Sequence, residues 1–121
     1  MSNIILLVDD DHATCALYER HLTHQGWSVK TAHDYESAEE AVMKYQPAAI
    51  VLDVLLKDHR SGWDLLDRLR SWQWSRNLPV LVVSAVDEPH KAMASGATGF
   101  MLKPCSPTQI VSRLQDYLAI A

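Results

Sequence analysis

Five short apolar runs alternate with stretches of helical periodicity, and this alternation constrains the chain more than any other feature. The runs cover residues 4–9, 27–32, 48–53, 79–84 and 98–102. Continuous apolar runs of this length suit strands buried on both faces, and the helical stretches between them supply the cover. The expected fold is therefore α/β: a doubly wound, five-stranded parallel sheet with helices on both faces.

The helical stretches carry apolar stripes at the required period. Ala13, Leu17 and Leu22 with Tyr18 form the first, and Ala38, Ala41, Val42 and Tyr45 the second. Leu65, Leu66 and Leu69 form another, and Ile110, Val111, Leu114, Tyr117 and Leu118 the last. Gly26 and Gly96 fall where helices should end, and Pro47 follows the second helix. Asp34 and Ser106 are candidate N-caps, and one of Asp9, Asp10 and Asp11 is expected to cap the first helix. No linker or repeat interrupts the series, so residues 1–121 are expected to form one domain with nothing left over for a second.

Composition narrows the function. The 15 acidic and 11 basic residues give a net charge of −4 without a Lys/Arg run, so direct nucleic-acid binding is not expected. The longest apolar runs fall well short of the ~20 residues that span a bilayer, and a cytoplasmic protein without membrane insertion is the expectation. Cys15 and Cys105 lack zinc-type spacing and read as free thiols. Of six histidines only His21 and His24 can share a helix face, and they offer a metal two ligands with no third.

The informative residues stand where the apolar runs stop. The first run ends in Asp9 and Asp10, the third in Asp53, the fourth in Ser84, and Lys103 follows the fifth. In a doubly wound sheet ligands bind beyond the carboxyl ends of the strands, where strand order reverses. For the order 2-1-3-4-5, strands one and three flank that point, so the acidic pair would face Asp53 with Ser84 and Lys103 alongside. Crowded carboxylates call for a hard divalent cation, and magnesium suits one or two carboxylates, several waters and a phosphate oxygen. A carboxylate can also attack phosphorus, while a lysine and a hydroxyl contact phosphoryl oxygens as point charge and donor. Singly, each residue is unremarkable: aspartates cap helices, and a lysine is usually a solvated charge. Their joint placement carries the functional reading.

Taken with their surroundings, these residues resemble the receiver domains of two-component response regulators, whose chemotaxis member has the flavodoxin-like order given above. The resemblance rests on Ile-Leu-Leu-Val-Asp-Asp at 5–10, Ile-Val-Leu-Asp at 50–53, Pro-Val-Leu-Val-Val-Ser-Ala at 79–85 and Gly-Phe-Met-Leu-Lys-Pro at 99–104, and covers nearly the whole chain. It implies that Asp53 is the phosphorylation site. It makes Asp10 a direct metal ligand, Asp9 one acting through water, and the Leu55 backbone carbonyl a further ligand of Mg2+. Ser84 becomes the switch hydroxyl, Phe100 the aromatic that follows it, and Lys103 the phosphate-sensing lysine. A cis peptide before Pro104 is implied as well. The implied partners are a histidine kinase or histidine phosphotransfer protein and a downstream output domain or protein. The chain would be a signalling phosphoacceptor, not an enzyme beyond its own phosphorylation and dephosphorylation.

Four departures from the family pattern stand out. Lys57 occupies a usual proline position, and Gly62 lies nine residues after Asp53, one more than usual. The interval from Ser84 to Lys103 is about three residues short, nearly one turn of the fourth helix. Cys105 replaces a common Phe, and Leu55 and Val86 put apolar side chains where polar ones often border the acyl phosphate. None removes a chemical group. One rival reading is an aspartate-nucleophile phosphohydrolase, which needs a second acid where this chain has Leu55. Another is a pseudo-receiver scaffold, which typically lacks an acid or the lysine. Trp72 and Trp74, two apart on an expected helix, cannot point the same way, so at least one should be partly exposed, with packing across a helix end favoured over a partner patch.

Overall fold

Successive side chains of a strand point to opposite faces, and the apolar runs use both directions. A computed structural model describes residues 3–56 and 61–118. Its elements alternate: β1 (Ile4–Val8), α1 (His12–His24), β2 (Ser28–Ala32), α2 (Tyr35–Tyr45), β3 (Ala49–Leu52), α3 (Gly62–Ser71), β4 (Val80–Ser84), α4 (Pro89–Ala94), β5 (Gly99–Leu102) and α5 (Pro107–Leu118). The strands pair in parallel in the order β2-β1-β3-β4-β5. This is the expected flavodoxin-like α/β fold, with each strand starting and stopping within about a residue of the apolar run that announced it.

The alternation divides the core. Leu6, Val8, Ile50, Leu52, Val80 and Val82 face α2, α3 and α4, where Ala38, Val42, Leu65, Leu66, Leu69 and Ala92 meet them. Ile5, Leu7, Ala49, Val51, Leu81 and Val83 face α1 and α5, against Cys15, Tyr18, Leu22, Ile110 and Leu114. Each central strand is thus apolar on both sides, and a one-residue slip would exchange the two cores.

Helix ends follow local chemistry. Asp11 caps α1, its carboxylate accepting from Ala13 N at 3.0 Å. Asp34 caps α2 in a reciprocal pairing with Ser37. Before α5, Ser106 Oγ accepts from Gln109 N at 3.2 Å while Gln109 Oε1 accepts from Ser106 N at 2.9 Å. Gly26 and Gly96 turn the chain at φ 97°, where a side chain would be strained. α4 has six residues, consistent with the short interval before Lys103. The Lys103–Pro104 peptide is cis.

Two expectations need correction. In α1 the buried face is Cys15, Tyr18 and Leu22, while Ala13 and Leu17 are exposed. Tyr18 decides the rotation: its ring fills the core edge and its hydroxyl donates to the Cys105 carbonyl at 3.2 Å, which a stripe through Leu17 would forgo. The second concerns the tryptophans. α3 ends at Ser71 and the backbone is extended at Trp72, so helical spacing does not apply. The two indoles stack, centroids 6.0 Å apart and planes 13° from parallel. Trp72, partly buried, packs against the core at the helix end, and Trp74 is the more exposed member. Lys57 and the altered loop around it fall on residues 57–60, outside the described residues.

Gly62 is the tightest approach behind the carboxyl end of β3. A Cβ there would lie 2.6 Å from both the Asp53 carbonyl oxygen and the Val54 Cα, neither of which can swing aside. Gly62→Ala is expected to cost roughly 1–3 kcal/mol, the usual penalty for overpacking. Urea unfolding should show a lower midpoint with unchanged slope. An unchanged midpoint would mean that the start of α3 can back away from β3.

Candidate functional site

Parallel register brings the polar strand ends to one edge. Val8 pairs with Leu52, and Asp53 N donates to Val8 O at 2.8 Å, so Asp9 and Asp53 emerge at the same level from neighbouring strands. Ser84 pairs with Leu102, and Lys103 N donates to Ser84 O at 2.7 Å. Asp9, Asp10, Asp53, Ser84 and Lys103 therefore converge, although they are spread over nearly a hundred residues.

Lys103 holds the group together. Its Nζ donates to Asp9 Oδ2 at 2.8 Å and to Asp53 Oδ2 at 3.0 Å. The other oxygens are held by backbone: Asp9 Oδ1 accepts from Asp11 N and Asp53 Oδ1 from Leu55 N, each at 2.9 Å. Both carboxylates are buried, each only 6% exposed, whereas Asp10 is half-buried. Burial alone would pull the Lys103 ammonium down, but hydrogen bonds to Asp9 and Asp53 carry it above its ordinary value, so it stays charged. Asp53 is raised as well, which for a carboxyl disfavours the charge: burial raises it, outweighing the Leu55 N–H and Lys103, which lower it.

Ser84 is 1% exposed, and its Oγ accepts from Val86 N at 3.1 Å. With the acceptor role taken, the hydroxyl proton remains free to donate. Phe100, paired with Val82 on β5, lies half-buried against the core on the α3–α4 side. Leu55 and Val86 each leave an exposed apolar side chain two residues past Asp53 and Ser84.

The donor set fits a hard cation. One oxygen from each of Asp9, Asp10 and Asp53 lies within 4.8 Å of the other two. Oxygens sharing a magnesium ion at 2.0–2.1 Å stand about 3–4 Å apart, so small side-chain movements would close them on one ion. No other metal-binding cluster of three occurs among the described residues, and His21 instead sets its Nδ1 3.1 Å from Leu17 O in its own helix.

Sequence reasoning missed the side chains that grip the backbone beside the acids. His33 Nδ1 lies 2.9 Å from the Asp9 carbonyl, and the Cys15 thiol donates to the same oxygen at 3.5 Å. Burial, then the Asp9 charge, pushes that thiol up to about 12, so it keeps its proton. The His12 ring stacks on His33 with centroids 3.7 Å apart. The signal was available in the strand pairing: Val8 opposite Ala32 puts residues 9 and 33 side by side.

The sequence model of a family described as the response regulator receiver domain matches residues 5–115. The chain is 35% identical over 115 residues to the transcriptional regulatory protein TrcR of Mycobacterium tuberculosis, covering 94% of this chain and 44% of that protein. It is 34% identical over 121 residues to the response regulator MprA of Mycobacterium bovis, covering 98% and 51%. The chain thus spans about half the length of the curated relatives it matches. Among solved structures, the chemotaxis response regulator CheY4 of Vibrio cholerae superimposes with a TM-score of 0.88 at 26% identity, over 98% of this chain and all of that one. The response regulator receiver domain from Bermanella marisrubri gives 0.87 at 31% identity, over 98% and 99%.

The raised Asp53 carboxyl makes a prediction about pH. A carboxyl raised above its ordinary 3.8 contributes stability that is fully present below that value and lost as pH rises through its folded value. Its charge is then a net cost at neutral pH without metal. In EDTA at pH 7, Asp53→Asn is expected to melt higher than the parent, and the gap should shrink toward pH 4. A lower melting temperature at pH 7 would show that the Lys103 pairing outweighs burial.

Proposed function

We propose that this chain, which belongs to the response regulator receiver domain family, accepts a phosphoryl group on Asp53 from a histidine kinase or histidine phosphotransfer protein of a two-component system. It is a signalling phosphoacceptor rather than a catalytic enzyme. The observation that carries the reading is the Lys103 ammonium bridging Asp9 and Asp53 at adjoining strand ends. A phosphohydrolase of the aspartate-nucleophile type would need an acid at Leu55, and a pseudo-receiver typically lacks one of the acids or the lysine, all of which are present here.

In the transfer, an Asp53 carboxylate oxygen attacks phosphorus as the P–N bond to the donor imidazole breaks, and the ring nitrogen leaves as histidine. Leu55 N–H anchors Oδ1, so Oδ2 is the oxygen presented. Lys103, already beside Oδ2, passes its charge to the incoming phosphoryl oxygens. Ser84 donates its free proton to another. Asp9, Asp10, Asp53 and the Leu55 carbonyl are the groups that would hold Mg2+, which when bound neutralises the phosphoryl oxygens. Drawing Ser84 toward the phosphoryl group strains its bond to Val86 N and pulls on the β4–α4 connection. Phe100, on the neighbouring strand, follows into the vacated space, and the altered face is read by an output domain or a downstream protein. Acetyl phosphate serves as a small-molecule donor in the same chemistry, with acetate leaving, and water attacking the acyl phosphate releases inorganic phosphate and restores the Asp53 carboxylate.

Acetyl phosphate with magnesium is expected to add one phosphoryl group by intact mass, and none to Asp53→Asn. Magnesium should raise the parent's melting temperature but not that of Asp10→Ala, provided that variant folds. A labelled Asn variant would remove Asp53 as the acceptor, and an undiminished magnesium shift would remove Asp10 from the site.

Lifetime of the acyl phosphate is a separate matter. Leu55 and Val86 are 46% and 43% exposed, and each follows a site residue by two positions. An apolar rim offers attacking water no hydrogen-bond partner, so the product should be long-lived for this family. Replacing Leu55 with Asn and Val86 with Glu should speed loss of the phosphoryl group on the order of tenfold, what one hydrogen bond of about 1.4 kcal/mol supplies. An equal or slower rate, with the magnesium response intact, rules out control by these side chains.

A further inference from the structure

Asp10 is the half-buried, least enclosed member of the acidic triad, and among the described residues no donor holds its carboxylate. Its aim is therefore set by its own backbone. The Asp9 carbonyl and the Asp10 N–H belong to one planar peptide unit, so whatever directs that carbonyl also directs the bond from which the Asp10 side chain departs. The Asp9 carbonyl is held from the side by two groups. His33 Nδ1 lies 2.9 Å away and the Cys15 thiol 3.5 Å. A carbonyl only accepts, so Nδ1 carries the proton. On the other side of the residue, Asp9 N donates to Ala32 O at 3.1 Å. The His12 ring, two residues past Asp10, lies flat on His33 and closes the bracket from the start of α1 to the end of β2.

We propose that His33 is a positioning residue for the cation site: its Nδ1–H fixes the Asp9–Asp10 peptide and so aims the Asp10 carboxylate at the position a divalent cation takes. The proposal rests on the reading of Asp10 as a ligand given above. Groups that orient a metal ligand without touching the metal commonly change affinity by one to two orders of magnitude when removed. His33 acts through backbone instead of through a ligand side chain, which puts its effect at the lower end of that range.

The alternative is that the ring merely fills space under His12, and two substitutions separate the cases. His33→Phe keeps a ring to stack on His12 but has no donor. His33→Asn loses the ring and places an amide N–H where Nδ1–H lies. The magnesium midpoint is read from melting temperature against magnesium chloride concentration, and the labelling rate from intact mass with acetyl phosphate. For His33→Phe the midpoint is expected to rise roughly tenfold, while the labelling rate at saturating magnesium changes less than about twofold. His33→Asn should stay within about threefold of the parental midpoint. A parental midpoint for His33→Phe, or an Asn variant shifted as far as Phe, would overturn the proposal. So would a drop in metal-free melting temperature in both variants with an unchanged midpoint, which is the signature of packing alone. If the parent shows no magnesium response, the reading of the site itself falls and the positioning role falls with it.

Discussion

The Lys103 ammonium is the contact on which the site depends. Two carboxylates buried at neighbouring strand ends repel each other and resist desolvation, and neither penalty is met by the backbone alone. One cation placed within 3.0 Å of both offsets part of each, leaving Asp53 still raised by its burial. Lys103 lies 94 residues from Asp9 and 50 from Asp53, so the contact forms only when β1, β3, β4 and β5 are all assembled in register. The folded sheet is thus a precondition for having the acids charged side by side, and the acids in turn are what make the crevice receptive to a divalent cation and a phosphoryl group.

This dependence explains why so much was legible in the sequence. A parallel sheet sends every strand's carboxyl end to the same edge, so the residue at which each apolar run stops carries positional information. Asp9, Asp53, Ser84 and Lys103 could be placed at one edge without knowing any distance, because the alternation of runs and helical stripes already implied a parallel sheet. The caps Asp34 and Ser106 were legible for a related reason: their partners lie three residues away, inside the range where spacing determines contact.

What escaped lies at contacts between elements distant in the chain. Leu17 and Tyr18 offer α1 two nearly equivalent buried faces, and the choice was made by a carbonyl 87 residues away at Cys105. Trp72 follows ten helical residues, and nothing within the helix announces that Ser71 ends it. Ser75, fully buried with its hydroxyl on the Leu69 carbonyl, and Arg70, whose guanidinium reaches Gly96 O at 2.8 Å and Ser75 O at 2.9 Å, hold the chain in its turn. His33 shows the same pattern, for it reads as one of several scattered histidines until β1 and β2 are set side by side.

A single local device recurs around the crevice. Asp9 accepts from Asp11 N, Asp53 from Leu55 N and Ser84 from Val86 N, each a side chain at a strand end bonded to the backbone two residues on. The turn so formed costs no long-range contact and leaves one face of each polar group toward the crevice. It also dictates that the residue two positions on stands at the rim, which is why Leu55 and Val86 are exposed despite being apolar. Asp10 and Lys103 lack this device. Lys103 has a long, rotatable stem and two carboxylates to leave, and Asp10 has only the direction of its peptide. In the transfer proposed above, Asp9 and Asp53 keep their local turns, Ser84 strains its own as it moves, and Asp10 and Lys103, held otherwise, readjust to cation and phosphoryl group. For Lys103 that freedom is built into the side chain; for Asp10 it is limited by whatever grips the peptide before it.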